Sequence, residues 1–242
     1  MFVPLYDFNP LRHIRVPFVT WTIIALNLIV YGIGFTGWVY GGQQGIEVSF
    51  GVIPSVIEGT RRLPKIYDLV APHWTLATYA FVHGGFMHLL GNLLFLFVFG
   101  DNVEDAMGHV RFALFFLLSA AFAGLAHVIA HPASDLPLVG ASGAVAAVVS
   151  AYLLLHPRVK VWVLALGRLP LPLAAWMVLG FWALMQVYMV AVQTEDDVAW
   201  WAHVGGLISG AVLVVLFRRA GVPLFDRGLD LARAEELTRA EA

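Results

Sequence analysis

No cysteine occurs among the 242 residues. That absence excludes disulfides, thiolate nucleophiles, Fe–S clusters and c-type haem attachment, and it makes serine the expected nucleophile if the chain is a covalent catalyst. Charge is scarce as well: only 12% of residues are charged against 60% hydrophobic. A soluble domain carries about twice that charged fraction, so the composition is that of an integral membrane protein. The net charge of −2 offers no basic surface for nucleic acid. Met1 to Val16 carries Asp7 and two prolines beside Arg12, His13 and Arg15, and no small-residue cleavage site follows the first apolar run. The segment therefore reads as neither a secretory signal nor an Arg-rich transit peptide. Neither an internal repeat nor a low-complexity segment occurs, and the absence of matched broken half-helices weakens a transporter reading.

What is present is long apolar sequence, with a mean hydropathy of +0.81. Stretches able to cross a hydrocarbon core of roughly 30 Å fall near Phe18–Thr36, Gly85–Gly100, Val110–Ala130, Ser142–His156, Leu171–Val192 and Val198–Phe217. The expected fold is therefore an all-α membrane bundle of six transmembrane helices. Residues 1–16 form an N-terminal segment, 17–218 the six-helix domain and 219–242 a tail. The long first loop, Gly37 to about Val82, mixes Trp, Tyr, Ile and Val with prolines and predicts short interfacial elements. Arg12, Arg15, Arg111, Arg158, Lys160, Arg168, Arg218 and Arg219 fall on one side of an alternating chain, as do the arginines of the tail. Only Arg61, Arg62 and Lys65 fall on the other, so both termini are expected to be cytoplasmic. The tail from Pro223 reads as a short helix.

Within this apolar background a few polar groups stand out, since an unpaired polar residue in hydrocarbon is expensive. Ser142 lies between glycines in Gly140-Ala141-Ser142-Gly143, and His203 lies inside the sixth span. The fourth span rises about 22 Å, so its start lies below the surface, and His203 falls about 7 Å inside the sixth. His88 lies about 20 Å above the opposite face, with Asn92 one turn away. All four share one half of the bilayer. His203, Gly206 and Gly210 form one stripe, and Ser142 shares a small-residue face with Ala146, so close packing would bring the hydroxyl to the imidazole. The His88 and Asn92 side chains, with the Ser142 amide at a helix N-terminus, have the composition of an oxyanion hole.

Each residue alone has a plainer explanation. Serine is a good N-cap, Gly206/Gly210 is a common packing motif, and Asn92 alone is an interhelical hydrogen-bonding residue. The joint match of depth, face and chemistry favours a Ser/His dyad. His127 and His131 are also four apart, but they lie beside no carboxylate and belong to no HExxH sequence, so no metal and no cofactor is expected. Glu195, Asp196 and Asp197 fit a solvated turn better than a third catalytic member.

The segment from Tyr79 through His83, His88 and Asn92 to Glu104 closely resembles the second-helix signature of rhomboid intramembrane serine proteases. Gly140-Ala141-Ser142-Gly143 resembles their GxSG motif, and Ala202-His203-Val204-Gly205-Gly206 with Gly210 resembles their sixth-helix motif. The resemblance runs from about Trp21 to Phe217. It implies Ser142 as nucleophile, His203 as base, and His88 and Asn92 as oxyanion donors. It further implies His83, Gly140, Gly143, Gly206 and Gly210 in supporting roles, Glu104 as a structural acid, and Phe181, Trp182 and Gln186 on the helix flanking lateral substrate access. The partners it implies are transmembrane substrates within a lipid bilayer. The missing targeting signal and the short soluble ends favour a prokaryotic plasma membrane, with the site opening to its outer side. Two departures are visible: Thr75 follows Trp74 where many members have arginine, and Ala146 replaces an aromatic that stacks on the histidine in some members. What orients His203 is therefore open. A catalytically silent, client-binding relative and a channel or transporter are the rival readings.

Overall fold

The computed structural model describes residues 2–165, 168–192 and 198–226. Its helices are α1 Phe18–Ile33, α2 Gly42–Phe50, α3 Pro54–Ile57, α4 Thr75–Thr78, α5 Phe86–Met107, α6 His109–Ala130, α7 Ser142–Leu155, α8 Ala175–Val192 and α9 Trp200–Phe217. Local sequence accounts for several boundaries. Pro132 follows the end of α6 and Pro157 the end of α7, where a ring without an N–H cannot extend the helix. Gly108, at φ +85°, is the single residue joining α5 to α6. The helices α5, α6, α8 and α9 are long and apolar enough to cross a membrane, while α1 and α7 are shorter. The protein is an integral membrane protein, largely helical, and the long first loop contains α2, α3 and α4 with two 3₁₀ turns. Trp38, in that loop, is 81% exposed.

The segment before α1 and the connection between α7 and α8 add one small sheet to this helical bundle. Strands β1 Phe2–Asp7, β2 Lys160–Ala165 and β3 Leu169–Ala174 form an antiparallel sheet in the order β1-β2-β3. This corrects the expectation of a fifth span starting at Leu171. Pro170 and Pro172 bar a helix there, and the segment pairs with β2 instead, Val161 facing Leu173 and Val163 facing Leu171. Val161 and Val163 are fully buried, so the sheet packs onto the protein with one face of β2.

Helix α7 is the centre of the molecule, with every residue from Gly143 to Tyr152 buried. It packs against α5, α6, α8 and α9. Its composition of Gly, Ala, Val and Ser is what such enclosure requires, because small side chains let neighbouring backbones approach. A Cβ built on Gly210 would collide with the Ala147 carbonyl, and one on Gly206 with the Gly143 carbonyl. The remaining core is aromatic, with Phe99 edge-on to Tyr152 and Phe112 stacked on Phe115.

At the arginine-rich end, buried carboxylates organise the backbone. Glu104 is fully buried and accepts hydrogen bonds from the Val19 amide (3.0 Å), the Thr20 amide (2.8 Å), the Thr20 hydroxyl (2.7 Å) and His109 Nδ1 (2.5 Å). It thereby satisfies the open amides at the start of α1. Asp105 does the same for the Arg12, His13 and Ile14 amides. Glu104 is thus a structural acid, as its place in the sequence motif implies.

Candidate active site

Three helix beginnings converge at the other end of the bundle. Gly140 has φ +115°, a conformation open to glycine at little cost, and a Cβ there would stand 2.5 Å from His88 Cε1. Glycine therefore lets the His88 ring lie against the backbone two residues before Ser142. The Gly140 amide donates to the Tyr79 carbonyl (3.0 Å), and the Tyr79 hydroxyl donates to the Ala120 carbonyl (2.8 Å). Tyr79 thus ties the serine loop to α6, a role that sequence reasoning did not assign.

The buried His83 ring organises the second layer. Its Nε2 lies 3.0 Å from Asn92 Nδ2 and 3.3 Å from the Ala141 amide nitrogen. Both neighbours are donors, so Nε2 is the acceptor and the ring proton resides on Nδ1. Gln43 Nε2 donates to the His83 carbonyl at 2.6 Å. One Asn92 N–H is thereby engaged and the second remains, since a carboxamide carries two. His83 and His88 meet edge to face at 5.1 Å, which gathers His83, His88, Asn92 and the serine loop into one cluster.

Helix α9 brings His203 to this cluster. Gly206 meets Gly143 backbone to backbone, and the Ala202 carbonyl lies 3.4 Å from the position of a Gly143 Cβ. The neighbours of Ser142 and of His203 in the chain are therefore in contact. Ser142 is half-buried and His203 is 8% exposed. Among the described residues no hydrogen bond joins Ser142 Oγ to the imidazole. In resting sites such bonds are often long and tighten only with substrate bound.

What orients His203 is a residue from another helix. Gln186 of α8 donates from Nε2 to the Trp182 carbonyl (2.8 Å), and its Oε1 lies 2.8 Å from His203 Nδ1. The first bond fixes which end of the carboxamide faces the ring, so Nδ1 must donate and Nε2 carries the lone pair. The imidazole is thus held as a base at Nε2. Trp182 (6.0 Å, tilted) and Trp200 (5.8 Å, edge-on) flank the same ring. Buried Ala146 stands 3.0 Å from the position of a Gly206 Cβ, in helix packing.

This arrangement changes the expectation for α8. Of the three residues assigned to lateral access, Phe181 is exposed, whereas Trp182 is half-buried against Phe95 and His203, and Gln186 is 3% exposed. Gln186 faces inward because its polar end has two partners there. His127 and His131 form a separate ring pair at 5.0 Å. Glu195, Asp196 and Asp197 lie outside the described residues, as does the tail from 227 onward.

Comparison with known proteins decides the family. The sequence profile of the Rhomboid domain matches residues 71–220, well over half of the chain. The chain belongs to the rhomboid family. Similar proteins include the putative rhomboid protease YdcA of Bacillus subtilis (strain 168), 35% identical over 80 residues, which are 33% of this chain and 40% of that protein. The mitochondrial RHOMBOID-like protein 12 of Arabidopsis thaliana is 26% identical over 162 residues, 60% of this chain and 46% of the relative. Rhomboid-related protein 2 of Mus musculus is 37% identical over 79 residues, 33% and 26% of the two chains. This rhomboid chain thus spans less than half the length of each of these relatives.

Proposed function

We propose that this rhomboid chain is an intramembrane serine protease that hydrolyses a peptide bond in or beside a substrate's transmembrane helix. The observation that carries the reading is the Gln186 carboxamide on His203 Nδ1, which leaves Nε2 basic on the side of a helix packed against the Ser142 turn. In the proposed reaction His203 Nε2 takes the Ser142 proton as Oγ attacks the substrate carbonyl. The Ser142 amide, His88 and the second Asn92 N–H stabilise the tetrahedral oxyanion. The imidazolium then protonates the leaving amine, and water, activated by the same ring, releases the acyl group from Ser142.

The proposal includes six spans, both termini in the cytoplasm, and a site opening to the extracytoplasmic side of a prokaryotic plasma membrane. Helix α7 is short for a span, about 21 Å at 1.5 Å per residue. A helix surrounded by protein need not match the lipid thickness, and α7 is buried along nearly its whole length.

The test is covalent labelling by a fluorophosphonate together with cleavage of a single-pass reporter substrate. Wild-type protein is expected to do both, and Ser142→Ala and His203→Ala to do neither while inserting normally. A folded wild-type chain that neither labels nor cleaves would support the client-binding reading. Cleavage surviving in purified Ser142→Ala would refute the dyad.

A further inference from the structure

At the arginine-rich end, beside the α5–α6 junction, lies an open hollow of about 540 Å³ whose lining includes His13, Gly108, His109, Arg111 and Arg219. Among the described residues no carboxylate lines it. The two nearest acids are engaged elsewhere: Glu104 with the start of α1 and with His109 Nδ1, Asp105 with three N-terminal amides and with His13 Nδ1 (2.9 Å). Each imidazole is thus anchored through Nδ1, and its Nε2 has no partner among the described residues.

Arg219 is held in place from its stem. Its amide donates to the Ala106 carbonyl (2.8 Å) and its Nε to the Asp105 carbonyl (3.2 Å). The guanidinium lies against Gly108, where a Cβ would come within 2.8 Å of Nη2, so glycine leaves the space the cation occupies. Arg111, on the first turn of α6, is exposed and has no partner among the described residues. Arg111 and Arg219 in one hollow match a phosphate, which takes forked guanidinium donors on several oxygens.

An apolar strip leaves the rim of this hollow. Val110, 74% exposed, is followed down α6 by exposed Leu114, Leu117 and Leu118, and exposed Phe18 of α1 packs beside His109 at 5.5 Å. The strip runs along a helix long and apolar enough to cross a membrane. We propose that the hollow binds the phosphate of an anionic phospholipid, with the phosphate between Arg111 and Arg219 and an acyl chain along the α6 strip. Inorganic or glycerol phosphate offers the same anionic oxygens but has nothing to place on the strip. The volume falls within the range of small-molecule sites, and basic pockets between spans are a known form of lipid headgroup recognition.

The experiment is thermal unfolding of the purified full chain in uncharged detergent, titrated with phosphatidylglycerol, phosphatidylcholine or glycerol 1-phosphate. Phosphatidylglycerol is expected to raise the midpoint by about 5 °C at saturation, and the other two to leave it in place. Arg111→Gln removes an exposed, unbonded side chain, so the fold is retained, and apparent affinity for phosphatidylglycerol should fall about fivefold. Arg158→Gln, the same charge change beside the sheet, should leave it intact. An equal shift with phosphatidylcholine, or equal weakening by both substitutions, would overturn the proposal. A full shift with glycerol 1-phosphate would overturn the lipid assignment and leave a site for soluble phosphate.

Discussion

Gln186 has both ends of its carboxamide engaged, and that makes it a positioning residue for His203. Gln186→Ala leaves the imidazole free to rotate and to exchange tautomers. For the proposed protease the expected result is a fall in kcat of about a hundredfold with little change in KM, because misplacing a base by an ångström costs about that much. Gln186→Glu keeps an acceptor on Nδ1 and should recover most of the loss. Equal loss in both variants would mean that Gln186 only fills space. Sequence patterning singles out Ser142, His203, His88, Asn92 and His83 as candidates, because a polar residue stands out against hydrocarbon and motif spacing relates one to the next. The partner of His203 was not legible in the same way. Gln186 was visible, but hydropathy cannot distinguish an inward-facing polar residue with two bonds from one lining a lipid-facing route. Tyr79 was missed for a related reason, since an aromatic in an apolar run carries no sign that its hydroxyl and its carbonyl each hold a different segment.

At the scale of elements, α7 and α9 are matched through glycine. The Gly206 and Gly210 stripe expected from the sequence is in place, and it meets the Gly143 and Ala147 carbonyls directly. Gly206→Ala puts a methyl group into that backbone contact and should cost about 1 to 3 kcal/mol through forced separation of the helices. It should also move His203 away from Ser142. Unfolding in detergent should therefore show a lowered midpoint for Gly206→Ala, whereas Gly180→Ala, on α8 with open space around its α-carbon, should not. The helices were legible because their apolar runs are long. The sheet was not: β3 reads as part of the next apolar span, and only Pro170 and Pro172 within it mark a break. Its partner β2 follows a helix terminus and carries Lys160 and Trp162, which fit an interfacial loop equally well.

Across the whole molecule, the segments before α1 and just after α9 brace the arginine-rich end of the bundle. The Phe225 and Asp226 amides donate to the Leu154 and Leu155 carbonyls (2.6 and 2.9 Å), which the end of α7 leaves open. Opposite them β1 carries Asp7, whose Oδ2 accepts from the Tyr152 hydroxyl (2.5 Å) and from Asn102 Nδ2 (3.2 Å). Burial pushes the Asp7 carboxyl up from 3.8 to about 7, opposed by the Tyr152 bond and assisted by nearby Asp101. The folded chain therefore holds a proton that the unfolded chain releases, and this contribution is complete below about 4 and lost as pH rises through about 7. The unfolding midpoint should fall between pH 5 and pH 8, and Asp7→Asn should flatten that dependence. A midpoint that falls equally steeply in Asp7→Asn would assign the effect to other groups.

The pairing of β1 with β2 also sets an order of events during synthesis. Phe2 pairs with Ala165, a residue made about 160 positions later. At about 5 to 20 residues per second, β1 waits roughly ten to thirty seconds for a strand to pair with. For that interval its edge is open to any other chain, and α1, α5 and α6 are synthesised before it closes. The sheet is therefore a late seal: it can close only once α7 and β2 have been made, and β3 leads directly into α8, the helix that carries Gln186.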